Sequence, residues 1–312
     1  MRSMHPVRLV NHMGERIVPS ICDNKQPKRR ELRVRSLFGL LQMAMSAQSA
    51  GSSPNSGMEG SRPNSWIAVN GVRVDAITHP ILLSSIDRFL KKGETSVVQF
   101  LAADPTVLAR SDPSYRDVLN AGDLNVPDGQ PVAWAMRLQG CGTERLPGTD
   151  AMTLLIEWGL KRQLRHYFFG STEQVVTQLG RRLKGANPLV QIAGAEAPPF
   201  RPLQDDELAH VAARVRESRA DLLWLGLGTP AQHLVAHRLR EHRPAPVILC
   251  VGAAFEFLAG TKRRAPRWMQ RTGLEWLHRL LNEPKRLWKR YLLGNPRFIL
   301  GIVRDLRLRR QA

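Results

Sequence analysis

The residues best suited to chemistry in this chain fall in a few short segments. In LNVPDGQPVAWAMRLQG, Asp128 and Gly129 make a turn, and Pro131 opens a helix whose apolar face carries Val132, Trp134 and Met136. An aspartate at such a place has a common structural role as a turn or N-cap residue. It also has a chemical one, as a carboxylate held above a sheet edge that takes the proton of an attacking hydroxyl. Arg145 and Asp150 follow in ERLPGTD. Arg145 reads either as a surface arginine or as a planar fork of donors for a phosphate. In LGLGTPAQHLVAH, Gly226 and Gly228 let the chain turn tightly after a strand, Thr229 suits an N-cap and Pro230 a first helical position. The N–H groups of such a helix start attract an anion, and Gln232, one turn in, is spaced to reach a sugar or phosphate oxygen. These glycines do not form the dinucleotide fingerprint, which needs GxGxxG and a following acidic residue. Gly170 precedes Ser171 and Thr172 at a similar helix start. Ser171 and Gln174 have capping-box spacing there, so capping is the favoured reading and backbone contact with a nucleotide the other.

Metal chemistry finds little support. The sequence has no DxD pair, no HExxH and no Cys/His cluster with ligand spacing. His233 and His237 are i,i+4, and a solvated helix side is the simpler reading for them. A diphosphate leaving group would then rely on arginine and backbone N–H donors.

The elements that must position these residues follow a regular plan. WIAVNGVRVDAI alternates like a strand pair turning at Asn70-Gly71. A helix over ITHPILLSSIDRFLKKG has Ile81, Leu82, Ile86, Phe89 and Leu90 on one side, and SVVQFLA is a short buried strand before a helix with Pro105 in its first turn. Three later units repeat an apolar run, a glycine and a helix: HYFFG-STEQVVTQLGRRL, ADLLWLGLG-TPAQHLVAHRLREH and APVILCVG-AAFEFLAG. This spacing predicts an α/β fold with a Rossmann-like, largely parallel sheet, flanking helices and ligands at the carboxyl ends of the strands. Residues 64–260 would form this domain.

Composition changes at both ends. Residues 1–63 hold basic clusters and a Ser/Gly/Pro/Asn tract, which predicts a disordered extension, with Met45 and Met58 as alternative starts. An apolar run at 37–50 is too short and too interrupted for an export signal. Residues 261–312 carry 15 Lys or Arg against three Asp or Glu, out of a whole-chain net charge of +19. Trp268, Trp276, Trp288, Tyr291 and Phe298 are interleaved with that charge, and prolines at 266, 284 and 296 are expected to cut the tail into short helices. Such a composition suits an anionic membrane surface or, alternatively, a nucleic acid. Three scattered cysteines (Cys22, Cys141 and Cys250) without CxxC spacing fit a reducing compartment, with Cys250 as a small core residue. No apolar run is long enough for a transmembrane helix.

The segments LNVPDGQPVAW, ERLPGTD, HYFFGSTEQV, DLLWLGLGTPAQH and VGAAFEFLAGTKRRAPRWMQRTGLEWLHRLLNEPKRLWKRY resemble the WecG/TagA/CpsF glycosyltransferase family from Ile67 to about Phe298. The order GLEW…RLxxEPxRxxxRY is the most specific part. The resemblance implies an inverting, metal-independent hexosyltransferase without a cofactor, placed on the inner face of the cytoplasmic membrane. Its donor would be a UDP-sugar and its acceptor a polyprenyl-diphosphate-linked sugar. Asp128 falls on the catalytic aspartate, and Arg145 and Gln232 on substrate-binding positions. Asp150, Gly170, Gly226, Gly228 and Thr229 extend that binding set. The basic tail is expected to dock on the membrane and close the site, recruiting Arg264, Arg267 and Arg271. Two positions depart from the family: His233 stands where many members have Glu, and Gln99 and Leu101 where many have Thr and Asn. FLAADP and PPFRPL look more like the exopolysaccharide branch, with a neutral hexose donor. Nucleic-acid binding and a degenerate membrane scaffold are the alternative functions, and oligomerisation is left open.

Overall fold

A computed structural model describes residues 65–311. The expectations for residues 1–63, including Cys22, lie outside the described residues.

Strands β1 (Trp66–Val69) and β2 (Val72–Asp75) form an antiparallel hairpin. Asn70 and Gly71 turn it with φ of 56° and 80°, the left-handed pair whose twist matches the flanking strands. Helix α1 (His79–Lys91) starts where the Thr78 hydroxyl accepts from the Ile81 N–H at 3.4 Å, and it buries Leu82, Ile86 and Phe89. Then follow β3 (Ser96–Leu101), α2 (Ala103–Ser111), α3 (Pro113–Asn120), β4 (Leu124–Pro127), α4 (Gln130–Leu138) and α5 (Gly148–Leu160). The three repeated units appear as β5 (Arg165–Gly170) with α6 (Glu173–Ala186), β7 (Leu222–Gly226) with α8 (Ala231–Glu241), and β8 (Val247–Cys250) with α9 (Ala254–Ala259). Between the first two lie β6 (Gln191–Glu196) and α7 (Asp205–Glu217). The sequence QIAGAE gave little strand signal because it is a thinly covered edge, with small residues rather than branched ones.

The main sheet has six strands in the order β4-β3-β8-β7-β5-β6, and each neighbouring pair is parallel. Alternation along the strands splits the core between its two faces. Phe168, Trp224 and Leu249 face α1, α5 and α6, while Tyr167, Phe169, Leu225, Ile248 and Cys250 face α7 and α8. A third cluster joins the hairpin to α2, α3 and α4. Two buried aspartates secure strand backbone: Asp75 accepts from the Asn125 N–H at 2.8 Å and Asp123 from the Val97 N–H at 2.9 Å.

Residues 261–312 form α10 (Arg267–Arg271), α11 (Glu275–Asn282) and α12 (Pro284–Gln311). Pro266 and Pro284 stand at helix starts as expected, but Pro296 does not end a helix: α12 runs through it. Its second half is held against the third core cluster by Phe298 and Ile302, and this packing outweighs the one backbone bond that proline forgoes. At the hairpin turn, Asp305 accepts from the Asn70 N–H at 2.7 Å. Helix α4 also differs from expectation. Val132, Ala133, Ala135 and Met136 are buried, whereas Trp134 is 44% exposed beside Gly273 of the tail.

Two buried histidines are neutral for the same reason. Burial lowers the pKa of His166 to about 4 and of His233 to about 3. His166 Nδ1 accepts from the Trp224 indole N–H at 3.1 Å, and His233 Nδ1 lies 2.6 Å from the Tyr115 hydroxyl. In the unfolded chain both would protonate near pH ~6.5. Below that value the unfolded state binds more protons, so stability falls by about 1.4 kcal/mol per pH unit per group until the folded pKa is reached. Urea unfolding at pH 7 and pH 5 should show this loss, and the double variant His166→Gln/His233→Gln should show a shallower one. An unchanged pH slope in that variant would reject the assignment.

Candidate active site

Asp128 is the first residue beyond β4, and its backbone N–H continues the strand pairing by donating to Leu101 O at 3.0 Å. One carboxylate oxygen accepts from the Gly148 N–H at 2.7 Å, at the start of α5. The carboxylate thus faces a helix N-terminus, where negative charge is favoured. Removal from water is nevertheless the largest influence and raises its pKa, against the lowering effects of Gly148, Arg145 and Arg279; Glu275 adds a raising effect. The result is a carboxylate more basic than an ordinary one.

A pocket opens above it. Its floor and walls come from the loops after β3 and β4, from Arg145, Pro147 and Thr149 before and within α5, and from the tail. The tail supplies Glu275, Trp276 and Arg279 from α11, then Tyr291 and Asn295 from α12. Trp276 and Tyr291 stack at a tilt, with ring centroids 5.8 Å apart.

Arg145 spans the Asp128 loop and the tail. Its Nε donates to Asp128 O at 2.8 Å, one terminal nitrogen to Gln270 O at 3.0 Å, and the other to Glu275 Oε2 at 2.5 Å. Its fork is therefore filled by protein groups. Asp150 is paired with both terminal nitrogens of Arg264, so these two expected binding residues hold each other. Arg267 is exposed on α10, and the Arg271 side chain lies outside the described residues. Among the described tail arginines, Arg279 reaches the pocket, over the Phe257 ring at 5.3 Å.

The remaining expected residues gather at the carboxyl ends of β5, β7 and β8. Gly170 has φ 146°, and a Cβ there would stand 2.5 Å from the Gly226 carbonyl carbon. A Cβ on Gly226 would strike the Phe255 ring. Both glycines thus permit close packing under the site. Ser171 does not cap α6: its N–H donates to Gly226 O at 3.0 Å, and Thr172 is the N-cap, accepting from the Val175 N–H at 3.3 Å. Thr229 is likewise not the cap of α8. Gly228 is left-handed with φ 76°, the Thr229-Pro230 bond is cis, and Pro230 takes the cap position. Gln232 is buried and its amide nitrogen lies 3.4 Å from Cys250 O, while its Oε1 is buried without a hydrogen-bond partner. Glu256 has one oxygen on the Ser171 hydroxyl at 3.3 Å and the other buried and unpartnered. Buried acceptors left without a protein partner are costly.

The glycosyl transferase WecG/TagA/CpsF family matches residues 67–312. The chain belongs to this family. It is 30% identical over 200 residues to an N-acetylglucosaminyldiphosphoundecaprenol N-acetyl-beta-D-mannosaminyltransferase of Bacillus spizizenii, covering 64% of this chain and 75% of the relative. It is 29% identical over 211 residues to the enzyme of the same name from Bacillus subtilis, covering 67% and 80%.

Within this WecG/TagA/CpsF chain, the two departures have structural accounts. His233 is not on a solvated helix side. It is 1% exposed and bonded to Tyr115, while His237 is exposed. Gln99 points away from the pocket and donates to Leu119 O at 3.1 Å, closing the end of α3. The sequence pattern alone did not single out Glu275 and Arg279, and it placed Trp276 among the membrane-facing aromatics rather than in the pocket. Their signal was present in GLEWLHRL, the most specific part of the resemblance.

Because Gly170 serves packing and a left-handed φ, Gly170→Ala should destabilise the fold by about 2–5 kcal/mol through strain and overpacking. Urea unfolding measures it, and a loss below ~0.5 kcal/mol would mean that β7 yields to the added methyl.

Proposed function

We propose that this enzyme is an inverting, metal-independent transferase that moves a hexose or N-acetylhexosamine from a UDP-sugar to a polyprenyl-diphosphate-linked acceptor. The observation that carries this reading is the Asp128 carboxylate, fixed by the Gly148 N–H and raised in pKa at the base of a pocket that also holds Arg145 and Arg279. The acceptor hydroxyl oxygen attacks the anomeric carbon from the face opposite the leaving group. Asp128 takes the hydroxyl proton as the new C–O bond forms. The old bond to the diphosphate breaks, and UDP leaves with its electron pair. Guanidinium groups meet the charge that develops on the diphosphate. Among the described residues no cluster of three His, Cys, Asp or Glu side chains is arranged to hold a metal. The free oxygen of Glu256 and the amide of Gln232, near Gly228, suit the hydroxyls of a nucleoside.

The tail supports a membrane-surface location. Trp288, Leu292, Leu293, Ile299, Leu300 and Val303 are exposed on α12, among exposed Lys285, Lys289, Arg297 and Arg304. This apolar and basic mixture suits an anionic lipid surface. Of the two tail tryptophans expected to meet lipid, Trp276 lines the pocket and Trp288 is 45% exposed, which favours Trp288 for that contact. Among the described residues no helix is long and apolar enough to cross a membrane.

UDP release should be measured in EDTA with a panel of UDP-sugars and a polyprenyl-diphosphate-linked N-acetylglucosamine acceptor. One donor should give acceptor-dependent release, and Asp128→Asn should lower it at least about 100-fold while still binding UDP. Turnover in the variant equal to wild type would remove Asp128 as the base. The panel separates UDP-glucose, expected from the exopolysaccharide-like segments, from the N-acetylmannosamine donor of the relatives.

The base must be ionised, and its pKa is raised. Activity should therefore fall as pH drops through a value above the ordinary aspartate range of ~4. A kcat profile flat down to pH ~4 would contradict a desolvated base.

For the tail, Trp288→Glu/Leu292→Glu/Ile299→Glu should lose sedimentation with phosphatidylglycerol vesicles and keep UDP binding. Undiminished sedimentation would place lipid contact elsewhere.

A further inference from the structure

We propose that Glu275 is a positioning residue whose carboxylate holds, in the empty site, the place that a substrate diphosphate takes on binding. This rests on the reading of the pocket as one for a diphosphate-linked sugar.

The argument starts from the charges. Arg145 and Arg279 both line the pocket beside Asp128. Two guanidinium groups brought into one partly dry pocket repel each other and need a shared anion. Glu275 lies between them, with Oε2 2.5 Å from Arg145 and Oε1 4.0 Å from Arg279. The Glu275 and Arg145 side chains are 16% and 14% exposed, so water screens this contact poorly. The other two nitrogens of Arg145 are held by the carbonyls of Asp128 and Gln270, which locks its plane. Arg279 is steadied on its other side by the Phe257 ring. Two cations are thus aimed at one point, with a carboxylate standing there.

A diphosphate offers more charge and more acceptor oxygens than one carboxylate. With Glu275 moved aside, it would accept from the freed terminal nitrogen of Arg145 and from the Arg279 guanidinium. Glu275 cannot remain between them, because its charge would face the diphosphate directly. Nor can it be discarded from the free enzyme without leaving the largely buried Arg145 charge unbalanced beside the partly exposed Arg279. Asp128 also acts on both arginines, but one of its oxygens is tied to the Gly148 N–H, and Asp150 is paired with Arg264, so Glu275 is the carboxylate in direct contact with Arg145. Glu275 also sits just beyond Gly273, left-handed with φ 72°, at the start of a short helix, where a small backbone change can carry its side chain aside.

Displacement subtracts from substrate affinity, and that fixes the sign of the test. Glu275→Gln keeps the size and a hydrogen bond but removes the competing charge. Calorimetric titration of wild type and variant with inorganic pyrophosphate, UDP and geranyl diphosphate should show binding of at least one diphosphate strengthened roughly fivefold or more. Tightening of UDP assigns the place to the donor, and tightening of geranyl diphosphate to the acceptor. In turnover the KM of that substrate should fall while kcat does not rise. Loss of a merely structural tether would instead weaken all three ligands. Glu275→Asp, which shortens the reach but keeps the charge, should show a smaller tightening and serves if the Gln variant does not fold. Weaker or unchanged binding of all three ligands in the variant that folds would overturn the proposal. If pyrophosphate binding tightens while UDP binds to neither protein, the placeholder role stands and the UDP-sugar reading falls.

Discussion

One hydrogen bond organises the candidate site: the Gly148 N–H to the Asp128 carboxylate. It joins the end of β4 to the beginning of α5, across the chain segment that carries Arg145. A carboxylate at a helix N-terminus is a favourable placement, yet this one is also stripped of water, and desolvation is the larger effect. The fold thereby keeps Asp128 in one orientation and makes it a stronger base. The orientation comes from the backbone geometry of β4 and α5, and the basicity from burial, which outweighs the Gly148 N–H.

Arg145 extends this arrangement to the tail. Its three contacts bind the loop of Asp128, the carbonyl of Gln270 and the carboxylate of Glu275 into one unit. The tail is therefore a wall of the pocket as well as a basic surface. Two faces of α12 divide the labour: Phe298 and Ile302 pack on the α/β core, while Leu292, Leu293, Ile299 and Leu300 remain exposed. That division follows from helical periodicity applied to a sequence whose apolar residues fall on more than one face, among many Lys and Arg.

Elements with a strong period or a specific turn were legible before any coordinates. The Asn70-Gly71 hairpin, the amphipathic α1 and the three strand–glycine–helix units are of this kind. Local detail at helix starts was less so. Thr172 rather than Ser171 caps α6, and Pro230 rather than Thr229 begins α8, because Ser171 and Gly228 are used for left-handed turns. Pro296 was read as a break, yet the packing of α12 overrides its local preference. His233 was read as solvated, since a sequence cannot tell which side of α8 meets Tyr115.

By itself the sequence determined the α/β class, the sheet-forming runs, the family and the likeness that singled out Asp128, because these depend on residue types and spacings along the chain. Only the tertiary structure decided which charges meet. Arg145 with Glu275 and Arg264 with Asp150 are more than 100 positions apart in the chain. Ion pairing depends on distance in space, and no local pattern encodes the partner. For the same reason Arg279, rather than Arg267, became the pocket's second cation: α11 lies over the carboxyl ends of β3 and β4, and α10 turns Arg267 outward.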